Sequence, residues 1–540
     1  MLYRKLPETR APETDTPDAR AARVSVVSSE QAFPVRAAAV DVGSNAIRFI
    51  AAEFSAPARY TVLEQVRTPV RLGHDVFLSG KLTPDAMVGA IVALTSYRQR
   101  MEALHIERYR AVATSAVRDS DNGDVFLRRV RDEAGLMLEP ITGAEEVRLV
   151  HQAVRNRITL GREKWILADL GGGSLEVSLV DEDEIYWSVS HGMGSVRLLE
   201  ELAVAGDEPG RFSKRLQEYA ATLRIPSVGR GGMAGFIATG GNMEALARLA
   251  LHVDEPTGTS IVPLSRLRET IDTLARLPYR QRVTELGLRE DRADVILPAA
   301  LVYERLCVLA GFEGIHVPYV GVKDGILLDL VDEYVGHEPH RERQEQLVYN
   351  GALALGKRYR FDIAHGRHVA ALALSIFDQL DGLHRLNRED RRLLMAAALL
   401  HDVGVFISHK RHHKHSLYII AQSELPGLKP VEIRMIANIA RYHRKGGPAS
   451  HHEEFMALPE PERERVRKLA ALLRLADALD REHLQHVRDV RVQSESGRVT
   501  LDIEGNGDLL LERWAVQEKA GLFEQTFGRS VRLRTDARMA

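Results

Sequence analysis

Apolar and polar residues alternate along this chain in textures that change twice. From Ala37 to about residue 160, short strand-like apolar runs alternate with helical stretches. AAAVDVGSNAIRFIAAEF reads as strand, glycine turn and strand, LTPDAMVGAIVALTSYRQRMEAL as a helix, RYRAVATSAV as a further strand, and residues 123–134 as another helix. Thr83 is placed to cap the first helix, with Pro84 in its first turn, where a missing N–H costs nothing. The same logic restarts near Lys164. KWILADLGGGSLEVSLV again reads as strand, glycine-rich turn and strand, EIYWSVSHGMGSVRLLE follows, and IATGGNMEALARLA joins a strand to a helix through a third glycine turn. This is an internal repeat: each copy puts an Asp (Asp41, Asp169) at the end of an apolar strand, directly ahead of small residues. It predicts two related α/β lobes, residues 36–160 and 161–335.

A charged segment at residues 336–346, GHEPHRERQEQ, reads as a linker. Beyond it, residues 347–487 carry helical periodicity almost throughout and predict an all-helical domain. Residues 488–540 alternate as strand, strand, helix and strand, a small α/β appendage. Residues 1–35, rich in Pro, Thr, Ala and Arg with little apolar periodicity, read as a disordered or loosely attached tail.

Composition narrows the function classes. A chain of 540 residues, 45% hydrophobic and 27% charged, has material for several buried cores. Lys and Arg total 73 against 75 Asp and Glu, a net charge of −2, so polyanion binding must come from local patches. The single cysteine, Cys307, excludes an internal disulfide and a Cys-based zinc site, and fits a reducing compartment. No apolar run approaches 18 residues; the best, residues 393–400, is far too short to span a bilayer, and the N-terminus lacks the apolar core of a secretory signal. The expectation is a soluble cytoplasmic protein with no membrane or nucleic-acid partner.

The glycine turns suggest phosphate chemistry. Gly43-Ser44-Asn45, the run Gly171, Gly172, Gly173 and Ser174, and Gly240-Gly241-Asn242 each follow a strand and leave backbone N–H groups open to an anion. Asp41 and Asp169 offer oxygen ligands for Mg²⁺ beside phosphate, with Glu176 two residues past the second turn. Between the turns, Thr114, Ser115, Arg118 and Asn122 form a candidate anion clamp, while Glu145 and Glu146 open the helix EEVRLVHQAV. A pair of Glu residues there favours a helix N-terminus in any protein, but a hydrolase also needs a base to activate water.

In that order AAVDVGSNAIRF, ATSAVRDSDNGDVFL, ITGAEEVRLV, LADLGGGSLEVSLV, HGMGSVRL and ATGGNMEALA resemble the exopolyphosphatase/guanosine-pentaphosphate phosphohydrolase (Ppx/GppA) family, from about Ala37 to Leu330. The resemblance implies two actin-like (ribonuclease H-like, ASKHA) lobes with the active site in the cleft between them. It implies Glu146 as catalytic base, with Asp169 and Glu176 holding magnesium and the attacking water. Asn45, Gly171 to Ser174 and Gly240-Gly241 match phosphate-contacting turns, and Arg118 the family's motif arginine. Where many members carry Arg-Glu-Gly, this chain has Lys323-Asp324-Gly325, which puts a point charge in place of Arg's fork at an expected phosphate contact.

Histidine concentrates in the helical part, with 13 of 21 beyond residue 350. His365, His401-Asp402 and Asp477 fall on helices or their ends and could form a divalent-metal cage of imidazole and carboxylate. Each alone is as readily a satisfied core group. Together they resemble the HD phosphohydrolase superfamily, which implies a second metal site, with His415 and His443 where two-metal members place extra ligands. The basic runs at residues 409–415 and 441–447 suggest a polyanion track, and few aromatics interleave them, which argues against single-stranded nucleic acid.

The expected function is an Mg²⁺-dependent exopolyphosphatase, releasing orthophosphate processively from polyphosphate. Removal of the terminal phosphate of guanosine pentaphosphate (pppGpp) is the alternative, since both substrates present a terminal phosphoanhydride. A kinase or chaperone of the actin-like superfamily and a non-catalytic polyphosphate or alarmone binder are further rivals. Amphipathic helices in roughly the last 200 residues suit pairing as a homodimer.

Overall fold

A computed structural model of the chain describes residues 33–203, 218–219, 221–225, 232–253, 258–336, 338–444, 446–506 and 509–535. Nearly all of the expected N-terminal tail lies outside the described residues.

The first sheet has the order β3-β2-β1-β4-β5, from β1 (Val35–Val42), β2 (Ile47–Ala56), β3 (Arg59–Thr68), β4 (Arg108–Ala113) and β5 (Leu138–Pro140). β1, β2 and β3 form an antiparallel meander, while β4 and β5 add in parallel on the other side of β1. β1 is buried along almost its whole length, which explains its uninterrupted apolar run: both faces of this strand are covered.

The second sheet has the order β10-β11-β9-β6-β7-β8, from β6 (Lys164–Leu170), β7 (Leu175–Val180), β8 (Ile185–His191), β9 (Met233–Thr239), β10 (Ser260–Pro263) and β11 (Gly314–Val317). β8-β7-β6-β9-β11 repeats the order and directions of the first sheet, and β10 adds antiparallel at the edge. The repeat visible in the sequence is therefore a repeat of topology, with Asp41 on β1 and Asp169 on β6 at equivalent places.

Two buried helices, Gly143–Arg155 and Val322–Tyr334, join one apolar cluster with residues of both sheets. They cross in contact, since a Cβ on Gly325 would lie 2.0 Å from the carbonyl oxygen of Leu149. Charge fixes the crossing. Arg148 pairs with Glu145 and Asp329 at 2.7 Å each, and Arg110 joins the same two carboxylates at 3.2 and 3.0 Å.

The segment expected as a linker is helical. Glu338–Arg358 is one helix of 21 residues. Its run of Glu, Arg and Gln consists of good helix formers, and Glu345 is held by Arg391 at 2.8 Å. The helices Ile363–Gln379, Arg388–Leu400, His412–Ala421, Pro430–Arg441 and Glu460–Ala478 follow and share one large apolar cluster. Each fully buried Leu or Ile there is worth roughly 1.5–3 kcal/mol. Last comes the sheet β12-β13-β14, from β12 (Val487–Glu495), β13 (Arg498–Gly505) and β14 (Ser530–Thr535), with helices Leu510–Lys519 and Gly521–Phe527 before its final strand. Among the described residues no helix is long and apolar enough to cross a membrane.

Candidate active site

The turns after β1 and β6 are built alike: Gly43 N–H donates to Ala46 O (3.2 Å) and Gly171 N–H to Ser174 O (3.0 Å). They also meet. A Cβ on Gly172 would lie 2.9 Å from Cβ of Ser44, and one on Gly173 would lie 2.3 Å from Oγ of Ser115. Those two glycines thus have a packing reason: they let the lobes touch. Gly240 is demanded by its backbone, φ +96°, with the oxygen of Leu170 only 2.8 Å from where a Cβ would stand. Thr239, just ahead of it, donates from Oγ1 to Asp169 Oδ1 at 2.6 Å.

Four carboxylates face one another here. Glu146 is the fourth residue of the helix Gly143–Arg155, whose start is capped by Thr142 Oγ1 accepting from Glu145 N–H at 3.2 Å. It is 6% exposed and receives Arg118 Nη1 at 2.8 Å. Burial pushes Glu146 up to about 8, against the lowering effect of Arg118, with Asp169 and Asp41 adding to the rise. Glu176 is held well above the usual carboxylate range by burial and by Glu146 and Asp169. Asp169 is raised as well, burial outweighing Thr239 and Arg48. Asp41 is already paired, taking Arg48 Nη1 at 2.8 Å.

These shifts describe a cluster short of positive charge. Glu176 accepts from Ser190 Oγ at 3.0 Å through Oε1, while its buried Oε2 has no hydrogen-bond partner among the described residues. Mg²⁺ takes one or two carboxylates and fills its remaining positions with water and phosphate oxygens. Asp169 and Glu176 fit that demand.

Several expected roles change. Glu145, neighbour of Glu146, belongs to the Arg148 charge cluster. Asn122 is spent on the backbone of Leu82, donating and accepting at 2.9 Å. Asn45 reaches across to Asp291, its Nδ2 donating to the carbonyl at 2.9 Å. Lys323 is not brought to the glycine turns. Both oxygens of its own neighbour Asp324 take its ammonium at 2.8 Å, and Asp324 also caps Gly321 N–H. That carboxylate acts on Tyr60, whose ring packs tilted against Phe54, opposite Val35 at the far end of β1 from Asp41. Lys323 serves a helix start.

The sequence reading missed Arg292. It is 6% exposed, and its Nε and Nη1 have no hydrogen-bond partner among the described residues. Its Nη2 lies 2.7 Å from where a Cβ on Gly241 would stand. Burial, then Arg289, Arg67 and Arg48, lower it to about 9. A buried guanidinium beside the Gly240-Gly241 turn and without a carboxylate of its own suits an anion. Nothing local in the sequence distinguishes it from the arginines around it.

The helical part holds a second cluster. His365 Nδ1 donates to Asp480 (2.8 Å), His401 Nδ1 to Ala398 O (2.7 Å), His443 Nδ1 to Ala440 O (2.6 Å) and His412 Nδ1 to His409 O (3.1 Å). All four Nε2 atoms are thereby left as lone pairs. They point at one another in pairs: His365 to His401 at 3.1 Å and His412 to His443 at 3.1 Å. Asp477 lies 3.5 Å from His401, and Asp402 lies 3.1 Å from His412 and 3.3 Å from His443. His365, His401 and Asp477 form one candidate ligand triad, and Asp402, His412 and His443 another. Facing lone pairs at such distances need a proton or a cation between them. Although burial opposes it, Asp402 and Asp477 raise His401 to about 9.

The structure brings His412, not the expected His415, into this cluster. In the helix His412–Ala421, His412 and Ser416 are four apart and share a face. Ser416 Oγ donates to His401 O at 2.6 Å, so that face is the inward one and His415 is off it. His483, stacked on His365 with centroids 3.5 Å apart, and Asp480 were also missed. The two basic runs do converge: His413, Lys414, Arg441 and His452 line one cavity of about 270 Å³.

Comparison with known proteins gives this arrangement its context. Residues 51–334 match the Ppx/GppA phosphatase family and residues 350–517 match Ppx/GppA phosphatase, domain III. A guanosine-5'-triphosphate,3'-diphosphate pyrophosphatase of Photobacterium profundum is 25% identical over 81% of this chain and 84% of its own length. Exopolyphosphatase 2 of Mycobacterium tuberculosis is 33% identical over 55% of this chain and 98% of its own. Among solved structures, an exopolyphosphatase from Cytophaga hutchinsonii is 23% identical, with a TM-score of 0.49 over 55% of this chain and 98% of that one. With two repeated α/β lobes, a helical C-terminal region and a family match across more than half its length, the chain belongs to the Ppx/GppA phosphatase family.

Proposed function

We propose that the chain hydrolyses the terminal phosphoanhydride of inorganic polyphosphate in the cleft between its lobes. The observation that carries this is Glu146: buried, held by Arg118 at 2.8 Å, and grouped with Glu176 and Asp169 beside turns rich in backbone N–H. Mg²⁺ on Asp169 and Glu176 would neutralise charge on the transferred phosphoryl group and draw the proton affinity of Glu146 down to the working range. Arg118 fixes the Glu146 carboxylate, which takes a proton from water as the water oxygen bonds to phosphorus. The bridging P–O bond breaks, orthophosphate is released, and the shortened chain keeps the leaving oxygen's negative charge. Arg292 and the turn amides hold the phosphates.

Removal of the terminal phosphate from pppGpp is the second reading, supported by the length over which the chain matches a pyrophosphatase of that nucleotide. Phosphate release from long-chain polyphosphate and from pppGpp, assayed side by side for the wild type and Glu146→Gln, tests both. Turnover persisting in Glu146→Gln sinks the mechanism, and the preferred substrate decides between the readings.

The helical part reads as HD-like, with divalent ions at His365, His401 and Asp477 and at His412 and His443, Asp402 lying between the two. The support is the four inward lone pairs and the two carboxylates, Asp402 and Asp477, that lie within 3.5 Å of them. The basic cavity beside it is suited to a passing polyanion, and the last sheet with its helices is a small α/β appendage.

A further inference from the structure

The second centre has a neighbour that the cleft reaction leaves unused. Next to Asp477 a cavity of about 240 Å³ is lined by Gly447, Arg474, Glu518, Lys519 and Gln525. That is roughly eight water volumes, enough for a phosphate group with a small substituent. Arg474 and Asp477 stand three residues apart on the helix Glu460–Ala478. Arg474 is 8% exposed; its Nη2 donates to the carbonyl of Arg444, and its Nε has no hydrogen-bond partner among the described residues. Lys519, last residue of the helix Leu510–Lys519, donates to Asp477 Oδ2, while Oδ1 of the same carboxylate faces His401 and His365. One carboxylate thus separates the lone-pair cluster from an ammonium that borders the cavity. Two cations and an amide stand there against a single acid, Glu518.

We propose that this cavity is a phosphate subsite of the second centre, holding the phosphate of a small phosphate ester or short phosphoanhydride between Arg474 and Lys519. The subsite rests on reading the neighbouring cluster as a metal centre. It also explains what the C-terminal appendage contributes, since Lys519 completes a centre whose other groups all come from the helical part. Among the described residues no aromatic side chain lines it, which argues against base stacking, so phosphate is the group recognised.

The test uses the full chain carrying Glu176→Gln, which disables the metal carboxylate of the cleft. Inorganic phosphate is titrated calorimetrically with and without Mn²⁺, and Mn²⁺ binding is followed separately by electron paramagnetic resonance. The expected result is Mn²⁺-promoted phosphate binding that weakens at least tenfold in Lys519→Gln and in Arg474→Gln, with Lys519→Arg retaining it. Mn²⁺ affinity should stay unchanged in Arg474→Gln, and unchanged melting temperatures would exclude misfolding. Phosphate binding that ignores both substitutions overturns the subsite. Loss of Mn²⁺ binding from the parent protein instead overturns the metal reading, and phosphate binding still sensitive to both residues would then leave an anion site alone.

Discussion

Glu424, from the loop after the helix His412–Ala421, accepts a hydrogen bond through Oε2 from the backbone N–H of Ala144 at 3.1 Å. A carboxylate from the helical part thereby caps the helix that carries Glu146. The contact is crowded: Oε2 of Glu424 and Oγ of Ser190 lie 3.3 and 3.1 Å from where a Cβ on Gly143 would stand, and Ser190 holds Glu176. Loss of the acceptor in Glu424→Ala should cost about 1 kcal/mol of helix-end stabilisation, roughly a fivefold fall in kcat. KM should change little. Glu424→Gln, which keeps an oxygen acceptor, should recover most of the loss in a phosphate-release assay.

The raised Glu146 carboxyl has a signature in stability. Its folded-state value of about 8 lies above its ordinary value, so the folded protein binds the proton more tightly than the unfolded chain does. Its contribution is complete below the ordinary carboxylate range and is lost as pH rises toward about 8. Metal-free wild type should therefore lose melting temperature over that window more steeply than Glu146→Gln does. Mg²⁺, by favouring the charged form, should flatten the wild-type curve. Parallel curves for the two proteins would remove Glu146 from the buried cluster.

Arg292 predicts a trade between stability and binding. A buried guanidinium without a carboxylate is costly, so Arg292→Met should raise stability by about 1–2 kcal/mol in denaturant unfolding. The same change should raise KM for polyphosphate about tenfold, because a desolvated charge-assisted contact is gone. An unaltered KM would place Arg292 outside the substrate site.

For the helical cluster, His412 and His415 make a matched pair. His412→Ala should weaken divalent-metal binding at least about tenfold, whereas His415→Ala should leave it unchanged. Metal titration of the two variants and the wild type checks this. Chelation should lower the melting temperature of the wild type more than that of His412→Ala.

Features written in adjacent residues are legible in the sequence: the strand-turn-strand repeat with Asp41 and Asp169, the Thr83-Pro84 helix start, and the Glu146 helix. Each rests on a local period or a turn. Features decided by what the chain meets elsewhere are not. Lys323 reads as a phosphate contact, yet Asp324 takes its charge. His415 and His412 differ only in which side of a helix faces Asp402. Arg292 and Glu424 have no local mark, since burial in one case and a neighbour 280 residues away in the other make them matter. The charged stretch after residue 336 reads as a linker because polarity and disorder look alike until a helix finds a partner such as Arg391.

The unbroken helix Glu338–Arg358 is the next element in the chain after the helix Val322–Tyr334 and packs along β8 before it enters the helical part. A rod of that kind transmits torque instead of absorbing it. Because Glu424 of the same helical part caps the Glu146 helix of the first lobe, any swing of the second lobe would pull on that cap, so opening of the cleft and the placing of Glu146 would be governed by one motion.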